Sequence, residues 1–461
     1  MVDAQRDSRP KETALNAGIE KGLAHADQTK VVEVGRGVLP RTGQIVREAL
    51  DIGDASVLVV ADERTWAAAG QAVDASLREA GLRVEDALIF PGTPALYAAY
   101  EHCETIRERL RETGSLAVAV GAGTLNDLVK LASGELEQPY TVVGTAASMD
   151  GYTGFGAPMT RDGVKVTMPC PAPQVVIFDL DVAAAAPSNM VGSGYGDLSA
   201  KIPGGADWLL SDAVAWEPLH PLAWELVQGG VAEALARPAD LAAGDADAYA
   251  GLVNGLILSG LSMQVYGGTR PASGAEHYFS HLWELDHLGQ DWDPPLSHGF
   301  KVAIGTLAMC AFYERFFARD VTAEAVEQAV AAWPAWEAIE ADIRARLSGT
   351  LADHCAKETR AKYIEGPALR ERLTGVLDEW DTLKPRLEKQ LLPARELQAM
   401  LKAAGAPSVP EDIGITAAKV KETFLSAAYY RSRYSVLDLA RELGWFDELV
   451  DEVFAPGGLW T

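Results

Sequence analysis

The chain has 461 residues, of which 48% are hydrophobic and 23% are charged, a composition typical of a globular protein long enough for two domains. Its formal net charge of −25 argues against a general affinity for nucleic acid or anionic membranes, although a local cluster of cations can still bind an anionic small molecule. The four cysteines form no C-x-x-C motif and the N-terminus has no apolar signal segment, so we expect a cytoplasmic protein. The longest apolar run, residues 252–265, contains polar residues and predicts a buried helix, not a membrane span.

After a polar segment of residues 1–30, strand-like and helical patterns alternate. The apolar runs of strand length are 31–34, 56–61, 86–90, 116–120, 140–144 and 175–179. Helical patterns are found at 63–80, 94–111 and 125–132, and a β-hairpin is predicted over 154–168 around residues 161–163. Continuous apolar strands between helices predict a parallel sheet covered on both faces. Strand patterns end near residue 180, so we predict an α/β domain over 31–182 and an all-α domain over 183–461.

Two segments that follow predicted strands have the residue types of a dinucleotide site. Asp62 follows the run 56–61, where a carboxylate can accept hydrogen bonds from ribose hydroxyls and repel a 2′-phosphate, which favours NAD over NADP. An N-cap for the next helix is the alternative role for Asp62. Gly121 and Gly123 follow the run 116–120 and allow a pyrophosphate to approach the backbone at a helix N-terminus. Asn126 replaces the third glycine of G-x-G-x-x-G, and a plain tight turn explains the motif equally well.

Two further motifs place polar side chains after a strand and before a helix. Thr145 and Ser148 follow the run 140–144 and can donate to a cofactor, while Asp150 can accept from a substrate hydroxyl; helix capping is the alternative. Asp197 lies four residues before Lys201, so the two side chains can pair on a helix surface. Asp197 would also supply the carboxylate that a mixed His/Asp metal site needs.

Histidines are concentrated in residues 267–301. The S-x-x-E spacing of Ser273 and Glu276 is that of a capping box and predicts a helix beginning near Gly274. On that helix His277 and His281 lie four residues apart and share a face, and His298 follows after a loop. Such a set can ligate a metal, although a lone H-x-x-x-H is more often a pair of hydrogen-bonded core histidines.

Five motifs occur in this order: GAGTLND, TAASMDG, GYGDLSAK, RPASGAEHYFSH and SHGFKVAIGT. The set resembles the sn-glycerol-1-phosphate dehydrogenases of the iron-type alcohol dehydrogenase and dehydroquinate synthase superfamily, and the resemblance covers roughly residues 30–320. The resemblance implies a Rossmann-like N-terminal domain with a parallel sheet and an all-α C-terminal domain. It also implies an active site in the cleft between the two domains, with NAD and one divalent ion (Zn, Ni or Fe).

The resemblance also assigns roles to individual residues. The metal ligands would be Asp197, His277 and His298. Substrate contacts would come from Asp150, Asp197 and His281, with His281 and Asp197 as the catalytic residues. NAD would lie on Asp62, Gly121, Ala122, Gly123, Thr124, Leu125, Thr145 and Ser148. Gly154 stands where relatives often have a serine that contacts the nucleotide, and the tail beyond about residue 400 is longer than usual.

The activity implied is the NAD(H)-dependent interconversion of dihydroxyacetone phosphate and sn-glycerol 1-phosphate. His281 would exchange the hydroxyl proton with solvent, and Lys201, Arg270 and Lys301 are candidates for the substrate phosphate. The alternatives are a dehydrogenase of another polyol or polyol phosphate and a non-redox lyase like dehydroquinate synthase, which prefers Glu where this chain has Asp197. We expect a small-molecule substrate, no nucleic-acid or membrane partner, and a homodimer or larger homo-oligomer.

Overall fold

A computed structural model describes residues 17–161 and 164–460 of the chain, without the side chains of Val164 and Lys165. It divides into two compact units that interleave along the sequence. The first comprises the residues up to Leu198, Pro221–Ala272 and Asp291–Pro295, and the second comprises Ser199–His220, Ser273–Gln290 and the residues from Leu296 onward. The predicted domains, 31–182 and 183–461, remain a prediction. Most of the predicted N-terminal segment lies outside the described residues, and residues 17–23 are helical.

The first unit is built on a parallel sheet of six strands in the order β1-β8-β5-β4-β2-β3. These strands are β1 (Val31–Gly35), β2 (Ser56–Asp62), β3 (Leu88–Phe90), β4 (Ser115–Gly121), β5 (Tyr140–Gly144) and β8 (Val175–Asp179). Every residue of β4, β5 and β8 is buried, which is why these strands are continuous apolar runs in the sequence. The predicted parallel α/β sheet is therefore confirmed.

The two remaining strands, β6 (Ala157–Arg161) and β7 (Val164–Met168), form an antiparallel hairpin. The prediction of a hairpin over residues 154–168 is confirmed, and residues 162–163 of its turn lie outside the described residues.

The hairpin also contacts the segment just before the helix that was predicted to begin at residue 94. Ala99 forms a parallel bridge with Thr160, and the Thr160 amide donates to the Ala98 carbonyl at 2.8 Å. The helix predicted to begin at residue 94 therefore begins at Tyr100.

Helices pack on both faces of this sheet and extend the unit beyond it. The core under one face contains Val57, Val59 and Ala61 of β2, with Val73 and Leu77 of the helix that follows β2. The helical elements are Leu39–Arg41 (3-10), Thr42–Ala49, Glu63–Thr65, Trp66–Gly70 (π), Gln71–Glu79, Tyr100–Thr113, Gly123–Glu135, Leu180–Ala184, Ser188–Ser199, Pro221–Gln228, Val231–Leu235, Pro238–Ala242 and Ala246–Tyr266.

By length and composition alone, the helix Ala246–Tyr266 could cross a membrane. Within the described residues, however, 78% of its apolar window is buried inside the protein. Such burial is also found in the core helices of globular proteins, and the sequence pattern predicted a buried helix here.

Among its described residues, the second unit contains helices joined by irregular segments and no strand. Its elements are Lys201–Ala213, Glu276–Leu285, His298–Phe317, Ala323–Ala332, Trp336–Arg346, Gly349–Lys362, Pro367–Gln390, Ala394–Ala403, Pro410–Ile413 (3-10), Ala417–Ala427, Val436–Glu442 and Phe446–Val453. An aromatic cluster joins three of them: the Phe424 ring lies 4.8 Å from that of Phe279 and 5.4 Å from that of Phe312. Phe279 and Phe312 belong to the two helices that carry the histidines, so the cluster packs these helices against Ala417–Ala427.

Truncation of Phe424 should destabilise the second unit. Its side chain is fully buried, so Phe424→Ala removes three ring contacts, with Phe279, Phe312 and Phe454, and leaves a cavity, which we expect to cost about 3–5 kcal/mol. Chemical denaturation followed by circular dichroism measures the loss. Trp292→Ala is the control, because Trp292 is 47% exposed and its loss should change stability by less than about 0.5 kcal/mol. Equal effects of the two substitutions would contradict the role of the cluster.

Candidate active site

Three histidines come together in the second unit. The helix Glu276–Leu285 carries His277 and His281 one turn apart, with ring centroids separated by 6.1 Å. His298 is the first residue of the helix His298–Phe317, and its ring lies 5.4 Å from that of His277 and 6.0 Å from that of His281. A ring nitrogen of His277 and one of His298 lie within 4.8 Å of each other. The predicted histidine set is therefore assembled within one unit.

The predicted capping box upstream of His277 is wrong. The helix begins at Glu276, and its N-cap residue, Ala275, makes no side-chain cap. The Ser273 hydroxyl instead accepts from Arg433 at 2.9 Å, and Glu276 accepts from the Gly274 amide at 2.6 Å. The Ala275 amide donates to the buried carboxylate of Asp207 at 2.9 Å. Side chains distant in sequence thus replace the local cap.

Two buried carboxylates hold the histidine rings through their Nδ1 atoms. Glu276 Oε1 lies 2.8 Å from His277 Nδ1, and Glu284 Oε1 lies 2.9 Å from His298 Nδ1. The second oxygen of Glu284 lies 3.5 Å from His281 Nδ1. We therefore assign a proton to each Nδ1, so that Nε2 is the ring nitrogen that carries the lone pair.

Sequence reasoning missed the role of these carboxylates. The S-x-x-E spacing assigns Glu276 to a capping box, and no motif in the sequence includes Glu284. A signal for Glu284 was present, because it lies three residues after His281 and seven after His277, on the same helical face. An imidazole held through one ring nitrogen by a carboxylate is common around protein metal sites.

Burial lowers the pKa of His281 to about 4, and the hydrogen bond to Glu284 only partly opposes this effect. The positive charge of Arg431 acts in the same direction as burial. His281 is therefore neutral at pH 7. About a third of its side chain, 31%, remains exposed, so solvent can reach the ring. A neutral imidazole in contact with water suits an exchange of protons with solvent.

In the first unit, several predicted cofactor residues lie at the carboxyl edge of the sheet. β2 pairs with β3 on one side and with β4 on the other, so the strand order reverses between β2 and β4. In open parallel sheets, ligands bind in the crevice at such a switch point. Asp62 ends β2, Gly121 ends β4 and Thr145 follows β5, the next strand along.

Small residues are required where β4 leads into the helix Gly123–Glu135. A Cβ atom on Gly121 would come within 2.4 Å of Leu125 Cδ1, and one on Gly123 within 3.2 Å of Met149 Cε. The N-cap residue of the helix, Ala122, makes no side-chain cap. Thr124 and Leu125 complete the first turn, whose amide groups can face a phosphate.

Helix capping is the alternative role of Asp62, Thr145 and Ser148, and only Asp62 caps a helix. Asp62 does cap the next helix, since its Oδ1 accepts from the Thr65 amide at 2.8 Å. Thr145 and Ser148 cap no helix, because residues 145–150 are irregular. Both are largely buried; the Thr145 amide donates to the Gly121 carbonyl at 3.1 Å, and the Ser148 hydroxyl lies 3.3 Å from that of Tyr152. Cofactor binding by these residues remains a prediction.

Asp150 and Asp197 are brought together in the first unit. The Asp150 amide donates to Asp197 Oδ2 at 3.0 Å, and the Asp150 carboxylate accepts from the Ser259 hydroxyl at 2.8 Å. Asp197 is 1% exposed and Lys201 is fully buried, so the predicted surface location of these two side chains is wrong. Gly154, where relatives often have serine, lies against Met263: an added Cβ atom would come within 2.9 Å of Met263 Cε.

Lys130 and Asn126, to which the sequence assigns no such role, hold the loop that carries Asp150. The buried ammonium of Lys130 donates to the carbonyls of Gly151 and Gly156 at 3.0 and 3.2 Å. The Asn126 amide donates to the same Gly151 carbonyl at 3.3 Å. Both residues lie on the helix that follows GAGT, so one helix supports the candidate pyrophosphate site and the loop beside it. A buried lysine facing backbone carbonyls has no signature in sequence.

Comparisons with known proteins agree with this architecture. Residues 33–187 match the model of the iron-containing alcohol dehydrogenase family. The chain is 35% identical over 285 residues to glycerol-1-phosphate dehydrogenase (NAD(P)+) of Halalkalibacterium halodurans, covering 61% of this chain and 70% of that protein. It is 30% identical over 392 residues to the Geobacillus stearothermophilus enzyme of the same name, covering 84% and 87%. The chain belongs to the glycerol-1-phosphate dehydrogenase family.

The fold of this family member is also found in solved structures. A probable glycerol dehydrogenase from Sinorhizobium meliloti superposes with a TM-score of 0.58 at 16% identity, covering 93% of this chain and 99% of that one. Glycerol dehydrogenase from Schizosaccharomyces pombe gives a TM-score of 0.57 at 16% identity, covering 92% and 90%. The predicted family and fold class are confirmed.

Replacing Glu284 should weaken metal binding. In Glu284→Gln the amide oxygen can accept from only one imidazole, and the amide NH2 would face the other. Either His281 or His298 would then no longer keep its proton on Nδ1. We expect a 10- to 100-fold loss of divalent-ion affinity, measured by titrating metal-stripped protein with Zn²⁺.

Glu422→Gln is the matched control. Glu422 is 69% exposed and lies on the helix Ala417–Ala427, so the same change of charge should leave metal affinity unaltered. Wild-type affinity in Glu284→Gln would show that the charge of this carboxylate is not needed for metal binding.

Proposed function

We propose that this protein is an NAD(H)- and metal-dependent oxidoreductase that interconverts dihydroxyacetone phosphate and sn-glycerol 1-phosphate. Curated relatives named glycerol-1-phosphate dehydrogenase (NAD(P)+), two of them at 35% and 30% identity, support the reaction class. The single observation that carries the proposal is the pair His277 and His298, each with Nδ1 on a buried carboxylate, in a chain of this family.

The metal ligands in this proposal are Asp197, His277 and His298. Each can offer one ligand atom, a carboxylate oxygen or a ring nitrogen. Two imidazoles and one carboxylate suit Zn, Ni and Fe, all of which accept mixed nitrogen and oxygen ligands. The orienting carboxylates Glu276 and Glu284 support this fit, because they leave Nε2 of both histidines as the donor atom.

NAD fits the carboxyl edge of the sheet. The glycines at 121 and 123 and the uncapped first turn suit a pyrophosphate, and Asp62 suits the ribose hydroxyls. We propose NAD rather than NADP, because a 2′-phosphate would meet the negative charge of Asp62. Thr145 and Ser148 complete the proposed cofactor contacts.

When bound, the divalent ion supplies Lewis-acid polarisation of the substrate's C2 oxygen, and the cofactor supplies or accepts the hydride. The chain's own residues would position the substrate and handle its proton. Asp150 would accept from a substrate hydroxyl, and its orientation is fixed by Ser259. His281 would exchange the C2 hydroxyl proton with solvent through Nε2, because Glu284 holds its Nδ1–H.

A dehydrogenase of another polyol or polyol phosphate would use the same scaffold, and the two reactions are separated by testing substrates. A non-redox lyase is disfavoured, because Asp197 stands where that branch prefers Glu; net NADH consumption would separate the two.

We also propose a cytoplasmic homodimer or larger homo-oligomer. The free thiols of Cys103, Cys170, Cys310 and Cys355 support a reducing compartment.

The reaction is tested by NADH oxidation with dihydroxyacetone phosphate, on protein stripped of metal and then reconstituted with Zn²⁺, Ni²⁺ or Fe²⁺. We expect turnover that depends on the metal. Chiral analysis should identify the product as sn-glycerol 1-phosphate. Binding of NAD and metal without turnover of this substrate would refute the assigned substrate. Other polyols and polyol phosphates would then be the candidate substrates.

His298→Ala should abolish metal binding and turnover together, because it removes one of two histidine ligands. Metal content by elemental analysis and the rate of NADH oxidation measure the two effects. His25→Ala, at an exposed histidine remote in sequence from the motifs, should change neither. An active, metal-loaded His298→Ala enzyme would disprove the ligand assignment.

Asp62→Ser should reduce the preference for NAD over NADP by about tenfold or more. Serine is also a good N-cap, so the substitution removes the charge near the ribose but keeps a side-chain acceptor for the Thr65 amide. The ratio of kcat/KM for NADH and NADPH measures the effect. Asp74→Ser is a control on a surface helix of the same unit. An unchanged ratio in Asp62→Ser would place the ribose elsewhere.

A further inference from the structure

An arginine from the C-terminal part of the chain lies beside the histidine cluster. Arg431 belongs to the irregular segment between the helices Ala417–Ala427 and Val436–Glu442. Its guanidinium carbon lies 5.6 Å from the centroid of the Tyr430 ring, and that ring lies 6.0 Å from the ring of His281. His281 in turn lies 6.0 Å from His298. A continuous row of rings therefore connects Arg431 to a proposed metal ligand.

The segment that carries Arg431 is held on both sides. The Tyr430 carbonyl lies 3.1 Å from His354 Nε2, and the Ser432 amide and hydroxyl both donate to Glu358, at 2.9 and 2.8 Å. Arg433 donates to the carbonyl and the hydroxyl of Ser273, at 3.0 and 2.9 Å. Ser273 lies just before the helix with His277 and His281, so the segment is bonded to the same motif that carries the histidines. A fixed backbone lowers the entropic cost of using Arg431 to bind a ligand.

The charge of Arg431 is accessible. Its side chain is partly exposed, and across residues 17–161 and 164–460 no carboxylate forms an ion pair with it within 4 Å. The neighbouring carboxylate, Glu358, already accepts two hydrogen bonds from Ser432. By contrast, the phosphate candidates Lys201, Arg270 and Lys301 are at most 6% exposed, and the Lys301 ammonium lies 3.4 Å from the Leu296 carbonyl.

We propose that Arg431, with the Tyr430 ring beside it, forms the subsite for the phosphate of the substrate. This inference rests on the proposed function, because it needs a phosphorylated substrate whose carbon chain reaches the histidines. A guanidinium presents several N–H donors in one plane, which suits a phosphate dianion. In a chain with a net charge of −25, a local cation is needed to attract such an anion. The segment around Arg431 would thus give the long C-terminal part a role in substrate selection.

The test compares phosphorylated and unphosphorylated substrates. For Arg431→Gln we expect the KM for dihydroxyacetone phosphate to rise about 10- to 100-fold, the usual worth of a charge-assisted hydrogen bond. The kcat/KM for dihydroxyacetone, which has no phosphate, should stay within about twofold. Arg431→Lys retains the charge and should recover part of the lost affinity. Arg386→Gln, at an exposed arginine of the helix Pro367–Gln390, is the control for a general loss of positive charge.

The outcomes separate this inference from the proposed function. Wild-type turnover of dihydroxyacetone phosphate with an unchanged KM in Arg431→Gln would overturn the subsite and leave the function intact. Equal losses for both substrates would assign Arg431 a structural role and also overturn the subsite. Absence of wild-type turnover with this substrate would refute the function, and the subsite with it.

Discussion

The histidine site depends on two buried negative charges. Glu276 is fully buried and Glu284 is 7% exposed, and each lies against imidazole Nδ1 atoms. A buried carboxylate is costly unless hydrogen bonds and positive charge compensate it. A divalent cation on the opposite nitrogens of the proposed ligand histidines would add to this compensation. The carboxylates orient the rings and would suit a cation bound there.

The first unit supplies a different kind of constraint, which is the topology of its sheet. All six strands are parallel, so their carboxyl ends lie along one edge, and the reversal between β2 and β4 opens a crevice there. The helix that begins at Gly123 both offers its first turn to this edge and, through Asn126 and Lys130, fixes the loop that carries Asp150. The same helix therefore supports both the candidate cofactor residues and the loop of the candidate substrate residue Asp150.

Buried parallel strands could be predicted closely, because their burial on both faces leaves continuous apolar runs; 140–144 and 175–179 agree with β5 and β8 at every residue. Predictions failed where a distant partner replaced a local signal. The helix predicted from residue 94 begins at Tyr100 because Ala99 pairs with Thr160. The capping box at Ser273 is absent because Arg433 and Asp207 take its hydrogen bonds. The histidines were found from spacing, whereas Glu284 was missed although its spacing was helical.

Arg433 and Arg431 show why the rest of the site could not be predicted. Neither belongs to a motif, and no periodicity relates residues 430–436 to the histidines far upstream. Their proximity follows from hydrogen bonds between segments remote in sequence: Ser432 to Glu358, Trp216 to the Ser432 carbonyl, and Arg433 to Ser273. These bonds fix the backbone on either side of Arg431 and leave its guanidinium without a carboxylate partner among the described residues. An arginine with no carboxylate partner, in a segment that its neighbours anchor, can present its N–H donors to a phosphate at little entropic cost.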